Sequence, residues 1–297
     1  MIDKVSVNGR ITGALEASVS PLDRGFLYGD SVYETLRTYA GRPFRLEPHL
    51  DRLRRSAAAL GIEPGRAPVD IARNVLDTIA AGRGAAGVEW AIRVILTRGT
   101  GALGYDPGAC GPPTLVVHVR PMPEIPPSWY REGVDVAIVP VTRNAPAALD
   151  PAIKSSNLLN NYLAWEAGRR RGVYEAILLN AAGRIAEGAS SNLFVVREGR
   201  LATPGLDTGI LAGITRAAVL EAARAAGIAA DETDLMPAAL TGAEEAFLTS
   251  TLKGVLPIRR CDGWPIREGR PGPVTRRLIE AYAALVQAET NSGAAPG

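Results

Sequence analysis

The chain has 297 residues, of which 46% are hydrophobic and 22% charged, a composition of ordinary globular proteins that excludes a disordered or fibrous chain. Its 33 basic and 31 acidic residues leave a formal net charge of +2, so there is no electrostatic footprint for nucleic acid. The basic set is lopsided, with three lysines only, Lys4, Lys154 and Lys253, and arginine for the rest. Arginine stays protonated in proteins and cannot act as an amine nucleophile, so any lysine chemistry rests on one of three side chains.

In chain order, β-branched runs predict strands over 32–39, 90–97, 114–120, 134–141, 174–180 and 245–251. Between them, Leu50, Leu53, Ala57 and Leu60 fall at helical spacing after Pro48, and further helices are expected over 67–81, 158–171, 214–226 and 273–286. Strands and helices interleave without strict βαβ alternation, which indicates an α/β protein of the α+β type with mixed sheets. The segment PMPEIPPSW (121–129) carries four prolines in nine residues and reads as an irregular linker. The expected organisation is an N-terminal α/β domain over 1–120, a proline-rich linker over 121–130, and a C-terminal α/β domain over 131–297 that carries Lys154. The tail from Ala288 is expected to fray.

Several site types are disfavoured. Two cysteines, Cys110 and Cys261, make no disulfide framework in a chain this long and suit a reducing compartment. With His49 and His118 they lack the spacing of a structural zinc site, and no metal is expected. The start, MIDKVSVNGR, has no apolar core of signal-peptide length, and no run approaches a membrane span; a cytoplasmic protein is expected. G-x-G-x-x-G occurs twice, at 82–87 and 99–104. The first follows a helix and the second precedes YDPGACGPP, so neither has the strand–turn–helix context of a dinucleotide site. Both are expected to be loops.

Five features, each weak alone, combine. Lys154, in DPAIKSSNLLNNYLA, suits a partly buried Schiff-base amine, although a lone lysine more often snorkels at a strand end. LAGITR (211–216) opens a helix at Gly213 whose free N–H groups can hold a phosphate. Thr249, Ser250 and Thr251 can add hydroxyl donors. Arg52, on the polar side of its helix, is by default solvated but can bind phosphate in bidentate fashion. Glu187 is a carboxylate able to keep a pyridine nitrogen protonated. An amine, a phosphate cup with an arginine and a ring-nitrogen carboxylate are what pyridoxal 5′-phosphate requires. Lys4 lies near the start, and Lys253 is expected to be solvated or beside a phosphate.

The motifs DRGFLYGDSVYETLR (23–37), HLDRL (49–53), IKSSNLLNNYLA (153–164), EGASSNLF (187–194), LAGITR (211–216) and STLKGVLPI (250–258) resemble, in order, those of the class IV, fold-type IV pyridoxal-phosphate enzymes. That family includes branched-chain and D-amino acid aminotransferases, (R)-amine transaminases and 4-amino-4-deoxychorismate lyases. The resemblance implies a two-domain fold with the active site between the domains, and a homodimer or larger homo-oligomer. It makes Lys154 the Schiff-base lysine and proton shuttle, Glu187 the pyridine-nitrogen partner, and Arg52 a phosphate ligand. Ile214 and Thr215 would give backbone N–H groups to the phosphate, Ser250 and Thr251 hydroxyls, and Leu211 would lie against the ring.

Departures bear on substrate. The Arg-x-His pair that D-amino acid enzymes place after the T-R-G matched by Thr97–Gly99 is missing from TGALGYDP. The lyase form RGxGxRGY is matched by RGTGALGY (98–105) with Leu103 for its second arginine. Ile92–Arg93 resembles the I-R of branched-chain enzymes, whereas YETLR (33–37) departs from their FEGIR-like form, and Leu158–Leu159 resembles D-amino acid members. The leading expectation is an aminotransferase moving an amino group from a small apolar or branched-chain amino acid to a 2-oxo acid such as 2-oxoglutarate, by ping-pong exchange. Tyr33, Arg93 and Arg98 are the candidate substrate residues. The alternatives are a 4-amino-4-deoxychorismate lyase and a D-amino acid or (R)-amine transaminase.

Overall fold

The computed structural model describes residues 3–82 and 87–291. The glycine-rich stretch 82–87, apart from its two end glycines, and the tail after Asn291 lie outside the described residues. The chain divides into two compact units. The first is Met1–Pro123 with Ile153–Asn157 and Glu289–Gly297, and the second is Glu124–Ala152 with Leu158–Ala288.

The first unit contains β1 (Lys4–Val7), β2 (Arg10–Gly13), α1 (Arg24–Tyr28), β3 (Ser31–Tyr39), β4 (Arg42–Pro43), α2 (Leu46–Ala59), α3 (Pro68–Gly82), β5 (Trp90–Thr97) and β6 (Leu115–Pro121). Its strands form one antiparallel sheet in the order β2-β1-β6-β5-β3-β4. Side chains alternate across a strand, so Val32 and Leu36 of β3, Trp90, Ile92, Val94 and Leu96 of β5, and Leu115, Val117 and Val119 of β6 share a face. They make one core with Leu50, Leu53 and Ala57 of α2 and Ile71, Val75 and Ile79 of α3. Glu34 lies between Val32 and Leu36 on that apolar face and has no exposed surface. The opposite face carries Tyr33 and, on the neighbouring strand, Arg93.

Lys154 belongs to this first unit, not to a C-terminal domain as its sequence position suggests. The segment 153–157 adds itself to the start of β3. The Ser156 N–H donates to Ser31 O at 2.9 Å and the Tyr33 N–H to Lys154 O at 2.9 Å, with a bridge between Val32 and Ser155. Ile153 packs on the first core. Sequence periodicity cannot detect such a pairing, because five residues are too few to show a period.

The second unit contains α4 (Pro127–Glu132), β7 (Val134–Thr142), α5 (Leu159–Arg170), β8 (Glu175–Leu179), β9 (Ile185–Gly188), β10 (Asn192–Arg197), β11 (Arg200–Thr203), α6 (Ile214–Ala225), β12 (Ala230–Glu232), α7 (Pro237–Thr241), β13 (Glu245–Ser250), β14 (Gly254–Cys261), β15 (Trp264–Pro265) and α8 (Pro273–Asn291), whose last residues count with the first unit. The strands make a mixed sheet in the order β12-β11-β10-β13-β14-β7-β8-β9, with β15 on β14. The pairs β11–β12, β14–β7 and β7–β8 are parallel, the mixed arrangement expected of the α+β pattern.

The proline-rich segment is more regular than the sequence suggests. Pro121 ends β6, and Pro127 opens α4 at a first-turn position, where a missing N–H and a fixed φ are no handicap. Trp129 and Tyr130 of α4 then pack on the second core. The C-terminal helix continues to Asn291, past the expected fraying point at Ala288. Among the described residues, no helix is long and apolar enough to cross a membrane.

Candidate active site

In the first unit the lysine is held by its own backbone. The Lys154 N–H donates to Ser56 Oγ of α2 at 3.1 Å, while its carbonyl accepts from Tyr33. Its ammonium donates to Tyr33 Oη at 3.5 Å and lies 4.5 Å from the centre of that ring. The Arg93 guanidinium carbon stands 3.8 Å from the same ring centre. Three predicted residues, Lys154, Tyr33 and Arg93, are therefore together on one side of β3.

Arg52 is not on a solvated helix face. It is buried, and its Nε and Nη2 donate to Glu34 Oε1 and Oε2, both at 2.7 Å. The buried face of α2 is wide enough to include His49, Arg52 and Ser56 with its leucines, which a heptad-like reading of the leucines alone misses. His49 Nδ1 lies 2.7 Å from Glu34 Oε2. Burial alone would raise the Glu34 pKa, but the hydrogen bonds from Arg52 and His49 outweigh it and hold the carboxyl at about 2. Burial also pushes the His49 pKa down, against the pull of Glu34 and with help from Arg52 and Lys154. His49 is thus a neutral donor to an ionised Glu34.

Arg98 is engaged elsewhere. Its Nε and Nη2 meet Asp30 at 2.5 and 3.1 Å, and its Nη1 and Nη2 donate to Gly61 O and Leu60 O at 2.9 and 2.7 Å. It clamps the end of α2 and does not join Tyr33 and Lys154. The glycines of 99–104 are explained by their own loop. Gly99 has φ +96°, and a Cβ there would meet Pro112 O at 2.2 Å.

In the second unit, Glu187 at the end of β9 is almost entirely buried. Arg143 Nε and Nη2 both lie 2.9 Å from its Oε1. Its Oε2 accepts from Asn192 Nδ2 at 3.2 Å and from the Leu211 N–H at 3.1 Å. Arg143 Nη1 also donates to Asn160 and Asn161 of α5, at 3.3 and 3.5 Å. Arg143 carried no signal in the sequence, being one loop arginine among many.

Asn192 also ties this carboxylate to the start of α6. Its Nδ2 donates to Leu211 O at 3.0 Å, and its Oδ1 lies 2.0 Å from where a Cβ on Gly213 would stand. No side chain caps α6, and its first internal bond runs from the Ala217 N–H to Gly213 O. The N–H groups of Ile214 and Thr215 thus precede the ladder, as an anion cup requires. β13, paired through Thr249 to Asn192, ends at Ser250 beside Thr251. Thr249 Oγ1 is buried without a hydrogen-bond partner among the described residues. An uncapped helix start where a Cβ on Gly213 would crowd Asn192, an orphaned hydroxyl beside it and a buried carboxylate form a set that fits pyridoxal 5′-phosphate.

Lys253, expected to be solvated or beside a phosphate, is half-buried. It sits 5.1 Å from the Tyr174 ring centre, and burial lowers its pKa against the opposing pull of Glu175. Among the described residues, no cluster of histidine, cysteine and acidic side chains could hold a metal.

The model of the amino-transferase class IV family matches residues 31–261. A protein of Methanocaldococcus jannaschii, provisionally named a branched-chain-amino-acid aminotransferase, is 37% identical over 94% of this chain and 95% of its own length. The D-alanine aminotransferase of Bacillus licheniformis is 32% identical over 97% of this chain and 98% of its own length. The structure of the T.th. branched-chain amino acid aminotransferase with pyridoxamine 5′-phosphate superimposes with a TM-score of 0.90 at 29% identity, covering 97% of this chain and 96% of that one. The chain belongs to the class IV aminotransferases. It is a transaminase that depends on pyridoxal 5′-phosphate.

Proposed function

We propose that this aminotransferase moves an amino group from a small apolar or branched-chain amino acid to a 2-oxo acid such as 2-oxoglutarate, in two ping-pong half-reactions at Lys154. The observation that carries the reading is the Lys154 ammonium, anchored through its own backbone on β3 and set 3.5 Å from a tyrosine hydroxyl. Arg52, the N–H groups of Ile214 and Thr215, and the hydroxyls of Ser250 and Thr251 would hold the cofactor phosphate. Leu211 would cover the ring, and Glu187, oriented by Arg143, would keep the ring nitrogen protonated.

When bound, the cofactor supplies the carbonyl carbon that takes the amino group and an electron-poor ring that stabilises charge at the donor's Cα. Lys154 Nζ is the base that takes up the proton of the donor's Cα in one half-reaction and gives a proton to the acceptor's Cα in the other. Tyr33 Oη accepts a hydrogen bond from that nitrogen and keeps it on one side of the strand. Arg93, stacked on Tyr33, offers guanidinium donors to the substrate carboxylate. Arg98 drops out of the substrate set because Asp30 and two carbonyls engage it.

The branched-chain reading is supported by the names of the Methanocaldococcus and T.th. relatives and by Ile92–Arg93. The Bacillus D-alanine aminotransferase, covered over nearly its whole length, favours a second reading, transamination of D-amino acids. A panel of L-leucine, L-isoleucine, D-alanine and (R)-1-phenylethylamine against 2-oxoglutarate and pyruvate separates the two. Turnover of L-leucine with 2-oxoglutarate is expected, and turnover of D-alanine alone would replace the first reading by the second. Turnover of aminodeoxychorismate without an amino acceptor would make the chain a lyase.

We further propose a cytoplasmic homodimer. Both cysteines are free, and α5 exposes Leu159, Tyr162, Leu163 and Trp165, an apolar group of the kind that marks an interaction surface.

A further inference from the structure

A carboxylate at the centre of an apolar strand face is costly, and a chain that keeps one there uses its partners for something. Glu34 occupies such a place between Val32 and Leu36, with no exposed surface. Its two oxygens meet Nε and Nη2 of Arg52 at equal distances of 2.7 Å, a paired arrangement that restricts a guanidinium's rotation as well as its position. His49, three residues before Arg52 on the same face of α2, donates from Nδ1 to Glu34 Oε2 and stops the carboxylate from swinging about its own axis.

We propose that Glu34 and His49 are positioning residues that set Arg52 for the phosphate of the cofactor. This deepens the reading of Arg52 as a phosphate ligand and rests on it. Glu34 touches neither cofactor nor substrate, and it acts through the direction in which Arg52 points. A simple charge argument gives the opposite expectation. Glu34 cancels the charge of Arg52, so removing its negative charge should attract an anion more strongly. Orientation and charge therefore predict opposite signs for the same substitution.

The test measures dissociation constants of the full chain for pyridoxal 5′-phosphate and for pyridoxal, which lacks the phosphate. Glu34→Gln is expected to weaken binding of the phosphate form by about tenfold, the lower end of what losing a partner that orients a ligating side chain costs, and to leave pyridoxal binding within about twofold. Glu34→Asp keeps the charge but draws the carboxylate back by one methylene, so it cannot meet both nitrogens. It should show the same loss, and it serves as the test if the glutamine variant does not fold. Phosphate-form affinity that is unchanged or higher in a folded Glu34 variant overturns the proposal, as does an equal loss for both ligands. Arg52→Gln separates the two layers. If it leaves the ratio of the two affinities unchanged, Arg52 is no phosphate ligand. If it collapses the ratio while the Glu34 variants do not, only the positioning role fails.

Discussion

Replacing Arg143 by methionine tests whether Glu187 is held as a buried ion. Arg143 and Glu187 have side-chain exposures of only 8% and 6%, with both guanidinium nitrogens 2.9 Å from one oxygen. Methionine fills much of the volume but leaves the carboxylate on neutral donors, the Asn192 amide at 3.2 Å and the Leu211 N–H at 3.1 Å. Removing one member of a buried pair costs about 3–5 kcal/mol. Those neutral bonds keep the expectation near the low end, about 3 kcal/mol. For a unit of this size that is a fall in Tm of roughly 6–12 °C.

The assay is urea unfolding of the full chain without cofactor, so that weaker cofactor binding does not enter. The double variant Arg143→Met with Glu187→Gln removes the stranded charge and should recover about half of the loss. Two results would refute the reasoning. One is an Arg143→Met protein within about 0.5 kcal/mol of the wild type, the range of an ordinary surface change. The other is a double variant destabilised by the full sum of its singles, since additivity means that the two side chains do not interact.

The two strand-region arginines should behave in opposite ways. Arg93→Met is expected to raise KM for the amino donor by at least about tenfold, the worth of one charge-assisted hydrogen bond, with little change in Tm. Arg98→Met should lower Tm and leave KM in place, because Asp30, Leu60 O and Gly61 O are what it holds; steady-state kinetics and a melting curve on each variant settle the pair. Gly213→Ala places a methyl 2.0 Å from Asn192 Oδ1, so either Asn192 or the start of α6 must move. Equilibrium binding should show at least about a tenfold loss for pyridoxal 5′-phosphate, and unchanged affinity would mean that the helix start is not the phosphate cup.

The sequence held the long elements and the residue types of the site, because strand alternation and helical spacing are strong over eight to fifteen residues. It also pointed to Lys154, since only three lysines had to be weighed. What it hid depends on pairing between distant segments. The five residues around Lys154 join β3 through backbone hydrogen bonds, which have no side-chain signature. Arg143 reaches Glu187 across 44 positions and looks like any other arginine. Arg98, next to a glycine loop, resembled a substrate ligand until its carbonyl and Asp30 partners were placed. Glu34 did leave a trace: in Val32-x-Glu34-x-Leu36 a carboxylate interrupts an apolar face, and His49 and Arg52 recur at helical spacing nearby. Reading interruptions of a pattern as carefully as the pattern itself would have found it.

Lysine modification tests the central claim most directly. The full chain is incubated with pyridoxal 5′-phosphate, reduced with borohydride and digested, and the mass of every lysine-containing peptide is measured. The cofactor mass is predicted on the Lys154 peptide alone, and Lys154→Ala is predicted to lose both that mass and turnover. Label on the Lys4 or Lys253 peptide in its place, or a Lys154→Ala protein that still transaminates, would contradict the account.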